Sequence, residues 1–397
     1  MKTSKLFSII ASLALVLNLF VPQAMALDVV ISGNGSDSDS DVKVENERET
    51  YLEQTNNTEI KNKVNLQTNT GGNGAEDNTN GDIVIKTGNA ESAVSIVNNA
   101  GMNAAELELC DCDLDATLKI EGNGSDSENE VELENKTKTE AYQENTVDVE
   151  NDVKAESNTG DNDADDNTGG EVTIDTGDVS TLVLTKTNAG MNALRISAGE
   201  GNGGMLSAWI SGNGSDSENE IELDLETETY VEQTNEVDVE NDIEGEVVSG
   251  ENQADDNTGG LVEIMTGDVE LGIGVETNSS FNYADVAGCG CLLDGLVKIA
   301  GNGTDSENEV EVEVEDELEV FQDNDDDVET DVEGELETGD NSAEDNTGGV
   351  DGDDPSIDTG DAEGVVSVEN NSGFNSLGDA EFEFSFDWAE LLSAFGL

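Results

Sequence analysis

The 397-residue sequence contains no histidine, only 2 prolines, few aromatic residues (4%), and 14 lysines and arginines against 94 aspartates and glutamates. The missing histidine removes the commonest general base and the commonest protein metal ligand. A net charge of −80 excludes the basic footprint that nucleic-acid binding needs, so no nucleic acid is expected as a partner. At 34% hydrophobic residues the chain also lacks material for one large conventional core.

Residues 1–26 have the pattern of a signal peptide. Lys2 and Lys5 open the segment, an apolar run fills residues 6–20, and an Ala-Met-Ala cleavage motif ends it. We therefore expect a mature chain that begins at Leu27. No later stretch is apolar enough to span a bilayer, so we expect no membrane span after cleavage and a secreted or cell-surface location.

The remaining sequence is a fourfold tandem repeat. An Ile-x-Gly-Asn-Gly-(Ser/Thr)-Asp-Ser motif begins at Ile31, Ile120, Ile210 and Ile299, at steps of 89, 90 and 89 residues. Four further motifs recur in the same order, including Asn-x3-Asn pairs such as Asn99/Asn103. Several markers that share one spacing indicate a repeat architecture. The predicted units are residues 31–119, 120–209, 210–298 and 299–397, the last with a C-terminal cap.

The pattern within each unit is typical of β-strands. Ile221, Leu223 and Leu225 alternate with acidic residues, which puts apolar side chains on one face and carboxylates on the other. Shorter strands are predicted near residues 147–153, 172–174 and 182–184. Asn34-Gly35 and its copies predict tight turns with left-handed backbone angles.

Two all-β architectures fit these strands. In a β-solenoid of four ~89-residue repeats, equivalent residues stack, and recurring amides form hydrogen-bonded ladders in a rod of parallel coils. The predicted ladder residues are Gln54, Gln143, Gln233, Gln322, Asn56, Asn145, Asn235 and Asn324. The alternative is a series of tandem β-sandwich domains, one per repeat. A largely disordered chain is a third interpretation, because high charge and low hydropathy are its usual signature.

Short motifs resemble the curlin-like and other Asn/Gly-rich tandem repeats of bacterial extracellular surface proteins. Residues 71–75 and 161–164 look like the Gly-Asn-x-Ala turns of that class, and Gln54 and Gln143 look like its stacking glutamines. The repeat here is about four times longer and far more acidic. The resemblance implies a stacked-strand extracellular scaffold. It does not carry over amyloid assembly, which this charge opposes.

Acidic residues at alternate positions follow the first motif of each repeat, as in calcium-binding loops. Gly122, Gly124 and Asp126 also partly resemble a calcium-binding nonapeptide turn. The candidate ligands are Asp37, Asp39, Asp41, Asp126, Glu128, Asp216, Glu218, Asp305 and Glu307. The competing interpretation is a solvated turn followed by a polar strand face. Calcium is therefore a candidate cofactor.

The cysteines and the C-terminal aromatics stand apart from these motifs. Cys110 and Cys112 match Cys289 and Cys291 two repeats later, and in an exported chain they are disulfide candidates, local or intermolecular. Thiolate metal sites and free thiols are the alternatives. The aromatics Phe382, Phe384, Phe386 and Trp388 alternate, which predicts a terminal cap over the last repeat or, alternatively, an attachment or secretion signal.

These observations predict an acidic structural or adhesive scaffold of the cell surface or extracellular matrix. Divalent cations, further copies of the chain and surface glycans are the expected partners. A calcium- or glycan-binding module is the alternative, and an ice-binding module is disfavoured because the strand faces are mostly glutamate. We expect no enzyme, although β-solenoids host polysaccharide-active enzymes, because no carboxylate pair stands out from its acidic background.

Overall fold

A computed structural model describes residues 7–11, 14–20, 25–110, 114–198, 205–286, 294–348 and 355–378, and every regular element among them is a β-strand. The strands of the first half are β1 (Phe7–Ala11), β2 (Ala14–Phe20), β3 (Met25–Ser32), β4 (Asp39–Asn69), β5 (Ile83–Lys86), β6 (Ala90–Cys110), β7 (Leu114–Glu121), β8 (Glu128–Asn158), β9 (Val172–Asp175) and β10 (Val179–Ala198). Those of the second half are β11 (Met205–Ser211), β12 (Glu218–Val248), β13 (Val262–Met265), β14 (Val269–Val286), β15 (Asp294–Ala300), β16 (Glu307–Glu337), β17 (Ser356–Asp358) and β18 (Ala362–Leu377).

Each repeat contributes one strand to each of four parallel sheets. The sheets run β3-β7-β11-β15, β4-β8-β12-β16, β5-β9-β13-β17 and β6-β10-β14-β18. We call the four turns of the chain coil 1 (β3–β6), coil 2 (β7–β10), coil 3 (β11–β14) and coil 4 (β15–β18). The predicted all-β solenoid is confirmed, because each strand pairs with the same strand of the neighbouring coil. The alternatives of tandem β-sandwich domains and of a largely disordered chain are wrong.

Each coil is flattened around a thin aliphatic core. The long sheet β4-β8-β12-β16 packs on one side against the sheet of β6 and its copies, and near the start of each long strand against the sheet of β3 and its copies. The largest fully buried side chains are all leucine or isoleucine, for example Ile96, Leu133 and Ile243. A core only two sheets thick needs no aromatic residues, which explains their scarcity.

The strands are longer than the alternation of apolar residues predicts. Residues 147–153 are not a separate strand but the middle of β8, which has 31 residues. At ~3.3 Å per residue such a strand is about 100 Å long, whereas four strands at ~4.8 Å spacing give a stack only about 19 Å high. The predicted rod along the stack is therefore wrong for a single chain. One molecule is a slab whose long dimension follows its strands.

The turn between β3 and β4 differs from the predicted Asn-Gly turn. The left-handed residues are Gly33 and Asp37, with φ of 71° and 59°, and not Asn34 or Gly35. The second glycine of the motif is required by the close approach of neighbouring coils. A Cβ on its coil 2 copy, Gly124, would lie 2.5 Å from the carbonyl carbon of Gly35.

Two predictions concern the ends of the chain, the N-terminal signal peptide and the C-terminal cap. Strands β1 and β2 pair with β6, so residues 7–11 and 14–20 lie along the outer edge of coil 1. Cleavage after residue 26 stays a prediction. The predicted cap residues Phe382, Phe384, Phe386 and Trp388 lie outside the described residues. The described part of the chain has no helix long and apolar enough to cross a membrane.

Candidate functional site: amide ladders and an acidic outer face

The four glutamines predicted as a ladder form one. Gln143 Nε2 donates to Gln54 Oε1, Gln233 Nε2 to Gln143 Oε1, and Gln322 Nε2 to Gln233 Oε1, each at 2.7 Å. The second amide hydrogen of Gln143 reaches a backbone carbonyl of the opposite sheet, that of Ala193, at 3.1 Å. Gln143 and Gln233 are almost fully buried. The ladder therefore ties successive coils together and also joins the two sheets within each coil.

The predicted asparagine ladder is one half of a double ladder. Asn145 Nδ2 donates to Asn235 Oδ1 in the next coil at 2.8 Å, and to Asn192 Oδ1 across the core at 2.8 Å. Asn192 Nδ2 in turn donates to Asn282 Oδ1 at 2.9 Å. Asn56 begins the predicted half and Asn324 ends it. Each buried amide has several partners, which offsets the cost of removing it from water.

The other ladders were not predicted, although the repeat spacing contained the signal for them. Residues such as Asn103 and Asn192 were recognised only as markers of the repeat. Further asparagine columns, three residues or more in each, are Asn62-Asn151-Asn241, Asn34-Asn123-Asn213-Asn302, Asn73-Asn162-Asn252-Asn341 and Asn78-Asn167-Asn257-Asn346. Any polar residue that recurs in all four repeats was a candidate for stacking.

The candidate cation ligands stack in columns on the solvent side. Asp37, Asp126, Asp216 and Asp305 form one column, and Asp39, Glu128, Glu218 and Glu307 form the next. Asp41 begins a third column, which continues through Glu130. The copies in coils 2 to 4 line an open groove of about 330 Å³. Carboxylate oxygens suit a hard cation, but among the described side chains no group of three or more metal-ligating residues is assembled.

Burial and crowding raise the pKa of several other carboxyl groups in the stack. Burial raises the pKa of Glu220, and the nearby Glu309 and Glu222 raise it further. The same two causes raise the pKa of Glu130, with Asp41 and Glu220 as the neighbours. A hydrogen bond to Asp161 raises the pKa of Glu251 to about 6, with burial as the next cause. Stacking like charges at the strand spacing therefore costs free energy in the folded state.

The basic residues offset this repulsion in one half of the stack. Lys43 lies 2.8 Å from Glu132, Lys61 lies 2.9 Å from Glu150, and Lys154 lies 2.8 Å from Glu244. Each pair joins a lysine in one coil to an acid in the next coil. Strands β12 to β14 and β16 to β18 contain no lysine or arginine. The outer faces of coils 3 and 4 are therefore almost purely anionic.

An aromatic ladder crosses the same outer face. The ring centroids of Tyr51, Tyr142, Tyr230 and Phe321 lie 5.5–5.6 Å apart in sequence order. Tyr51 and Tyr230 donate hydrogen bonds to Glu53 and Glu232. The end rings are exposed. The face thus combines a stripe of stacked rings with flanking carboxylates.

The disulfide candidates are not placed by the structure. Cys110 ends β6, but its side chain, like Cys112, Cys289 and Cys291, lies outside the described part of the chain. The disulfide hypothesis and its two alternatives stay open.

Comparison with protein-family models, with curated proteins and with solved structures finds no match for this chain.

Proposed function

We propose that the chain is an exported, non-catalytic structural scaffold of the cell surface or extracellular matrix, with divalent cations bound along its acidic faces. The observation that carries the proposal is that continuous ladders of hydrogen-bonded amide side chains run through the interior of the coil stack. These ladders fix the four coils in one register. Such a construction supplies an extended stiff surface.

Cation binding is supported by the electrostatics of the acidic columns. Two like charges ~4.8 Å apart in water repel by about 0.9 kcal/mol. Coils 3 and 4 stack acid on acid along most of the outer face, as in Glu222/Glu311 and Glu240/Glu329. A cation between two stacked carboxylates replaces this repulsion with attraction, which stabilises the folded state by mass action.

Thermal melts at fixed ionic strength test the cation proposal. We expect 10 mM calcium to raise the melting temperature by at least about 3 °C over the chelator-treated protein, an increment that corresponds to about 2 kcal/mol for a chain of this length. The Asp126→Asn/Asp216→Asn variant should lose much of this gain. The matched Asp175→Asn/Asp285→Asn variant, whose carboxylates pair with Lys86 and Arg195 instead of stacking on other acids, should keep it. Identical melts with calcium and with chelator would refute cation binding.

Export is tested separately. Fractionation of cells that express the chain should find it outside the membrane, with Leu27 as its first residue by N-terminal sequencing. Retention inside the cell with an intact N-terminus would refute the scaffold role.

The aromatic ladder favours a second candidate role in adhesion to glycans. Stacked rings flanked by carboxylates offer apolar faces and hydrogen-bond acceptors to sugar rings. A glycan array with the exported protein tests this role, and the Tyr142→Ala/Tyr230→Ala variant should lose any signal. Binding that the variant retains would exclude the ladder as the contact surface.

A further inference from the structure

Within the described residues, the long sheet β4-β8-β12-β16 has an open edge at each end of the coil stack. Strand β16 has one neighbour, β12, and strand β4 has one neighbour, β8. Apolar side chains of coil 4 are exposed, although the side chains at the same positions in coil 3 are buried. Val314 is 61% exposed, whereas Leu225, its paired neighbour in coil 3, is 8% exposed. An edge of 31 residues with exposed apolar side chains is a template for further pairing.

Charge complementarity identifies what fits this edge. Lys43, Lys61 and Lys63 of β4 occupy the columns in which β16 carries Glu311, Glu329 and Asp331. Lys86 of β5 occupies the column of Asp358, and Arg48 that of Asp316. Every basic residue of coil 1 would therefore meet an acid if coil 4 of another copy stacked on it in register.

The pairs already present within the chain have the same geometry. Lys61 bonds Glu150 one coil away, and Lys63 bonds Asp152. Acids on the opposite side of these lysines would lie at the same strand spacing. Coil 4, which contains no basic residue on β16, β17 or β18, supplies only acids to that position. The net charge of the chain opposes association, but its uneven distribution favours this one orientation.

The amide ladders are complementary in the same orientation. The glutamine ladder runs with each amide donating toward coil 1, so it ends at Gln322 and begins at Gln54. The asparagine ladder runs the other way, from Asn56 to Asn324. Stacking coil 4 on coil 1 of a second copy places Gln54 beside Gln322 and Asn324 beside Asn56. Each ladder then continues across the junction with its donors and acceptors matched.

We propose that a second copy of this chain is the partner of the open edge, with coil 1 of one copy stacked in register on coil 4 of the next. The inference deepens the scaffold role proposed above and rests on its predicted removal of residues 1–26. Strands β1 and β2 occupy the edge of β6 where β18 of the second copy must pair. The leader segment therefore blocks assembly until it is removed.

Assembly of the exported protein, after removal of residues 1–26, tests the proposal in 0.15 M salt by analytical ultracentrifugation and electron microscopy. We expect filaments in which each copy adds four strand spacings, about 19 Å. The chain that retains its leader should stay monomeric. Slab-shaped monomers at all concentrations would overturn the inference and leave the scaffold role standing, whereas failure of export would refute the scaffold role itself.

Charge reversal tests the proposed register. The Lys61→Glu/Lys63→Glu variant and the Glu329→Lys/Asp331→Lys variant should each need about tenfold more protein to assemble, because two surface ion pairs become repulsive. An equimolar mixture should assemble like the unmodified protein, since each variant's altered end matches the other's.

The Lys154→Glu variant is the matched control. It loses an ion pair to the next coil, that with Glu244, and changes no residue of coil 1 or coil 4, so it should assemble normally. Circular dichroism melts verify that all variants are folded. Assembly unaffected by either charge reversal would overturn the proposal. Assembly that occurs only after residues 379–397 are deleted would also overturn it, because that segment would then be the occupant of the edge.

Discussion

The Asn192→Ala substitution probes the double ladder at its most connected point. Asn192 Oδ1 accepts hydrogen bonds from Asn103 at 2.9 Å and Asn145 at 2.8 Å. Its Nδ2 donates to Asn282 at 2.9 Å, and to Asn235 and the Thr234 carbonyl at 3.1 Å. The side chain is fully buried. At a net ~1 kcal/mol for each well-formed bond, and without water to replace them, we expect a loss of about 4 kcal/mol of unfolding free energy.

Urea unfolding followed by far-UV circular dichroism measures this loss. Asn375→Ala is the matched control, because Asn375 ends the same column in coil 4 and is exposed. We expect it to cost about 1 kcal/mol, since water replaces its lost bonds. A cost below about 1 kcal/mol for Asn192→Ala, or equal costs for the two variants, would refute the reasoning that buried amides hold the coils together.

Three further predictions concern packing and charge. Gly124→Ala should lower the free energy of unfolding by more than about 3 kcal/mol in a urea melt, because the added Cβ meets the Gly35 backbone. Gly122→Ala, which has open space but a φ of 68°, should lower it by only about 1 kcal/mol. Equal losses would contradict the stacked geometry. Because the pKa of Glu251 is raised from 4.5 to about 6, its contribution to stability is fully present below pH 4.5 and is lost as pH rises through 6. Glu251→Asn, which also suits its left-handed φ of 55°, should therefore raise the melting temperature at pH 7 and give little gain at pH 5; an equal gain at both pH values would contradict this. Ser280 donates a hydrogen bond to Asp326, and the preceding repeat has Gly190 and Val237 at these two positions. Asp326→Val should therefore destabilise the protein unless Ser280→Gly accompanies it, with a coupling free energy of about 1–3 kcal/mol in a double-mutant cycle. Additive effects of the two substitutions would refute the pairing.

The solenoid could be predicted because stacked repeats carry the same polar residues at equivalent positions, a pattern that hydropathy alone does not reveal. Gln143 and Gln233 occupy the same position in successive repeats, and contact between the repeats explains this recurrence of a polar residue. The strand lengths could not be predicted in the same way. Thr139 and Gln143 face inward and are buried, yet they read as polar residues that interrupt the apolar alternation. The apolar alternation therefore predicts several shorter strands where the structure has the single long strand β8.

The turns and the carboxylates show a second limit. An Asn-Gly pair predicts a hairpin turn, but here the turn joins strands of different sheets. The backbone N–H of Asn34 donates to Asn123 Oδ1 in the next coil, and Gly124 leaves room for the backbone of Gly35. The candidate ligands Asp126 and Glu128 each stack on their copies in neighbouring coils, and their role as cation ligands stays a prediction. Whether a cation occupies those columns depends on charge and concentration, which residue spacing does not encode.

Site-specific disulfide formation tests the parallel in-register stack most directly. Asp148 and Asp238 are paired neighbours on the outer face, so their Cα atoms lie at the strand spacing of ~4.8 Å, within the range that a disulfide spans. In a background with the four native cysteines replaced by serine, Asp148→Cys/Asp238→Cys should cross-link quantitatively within one chain on mild oxidation. Asp148→Cys/Glu240→Cys, two residues out of register at about 8 Å, should not. Equal cross-linking of the two variants, or preference for the second, would contradict the stack.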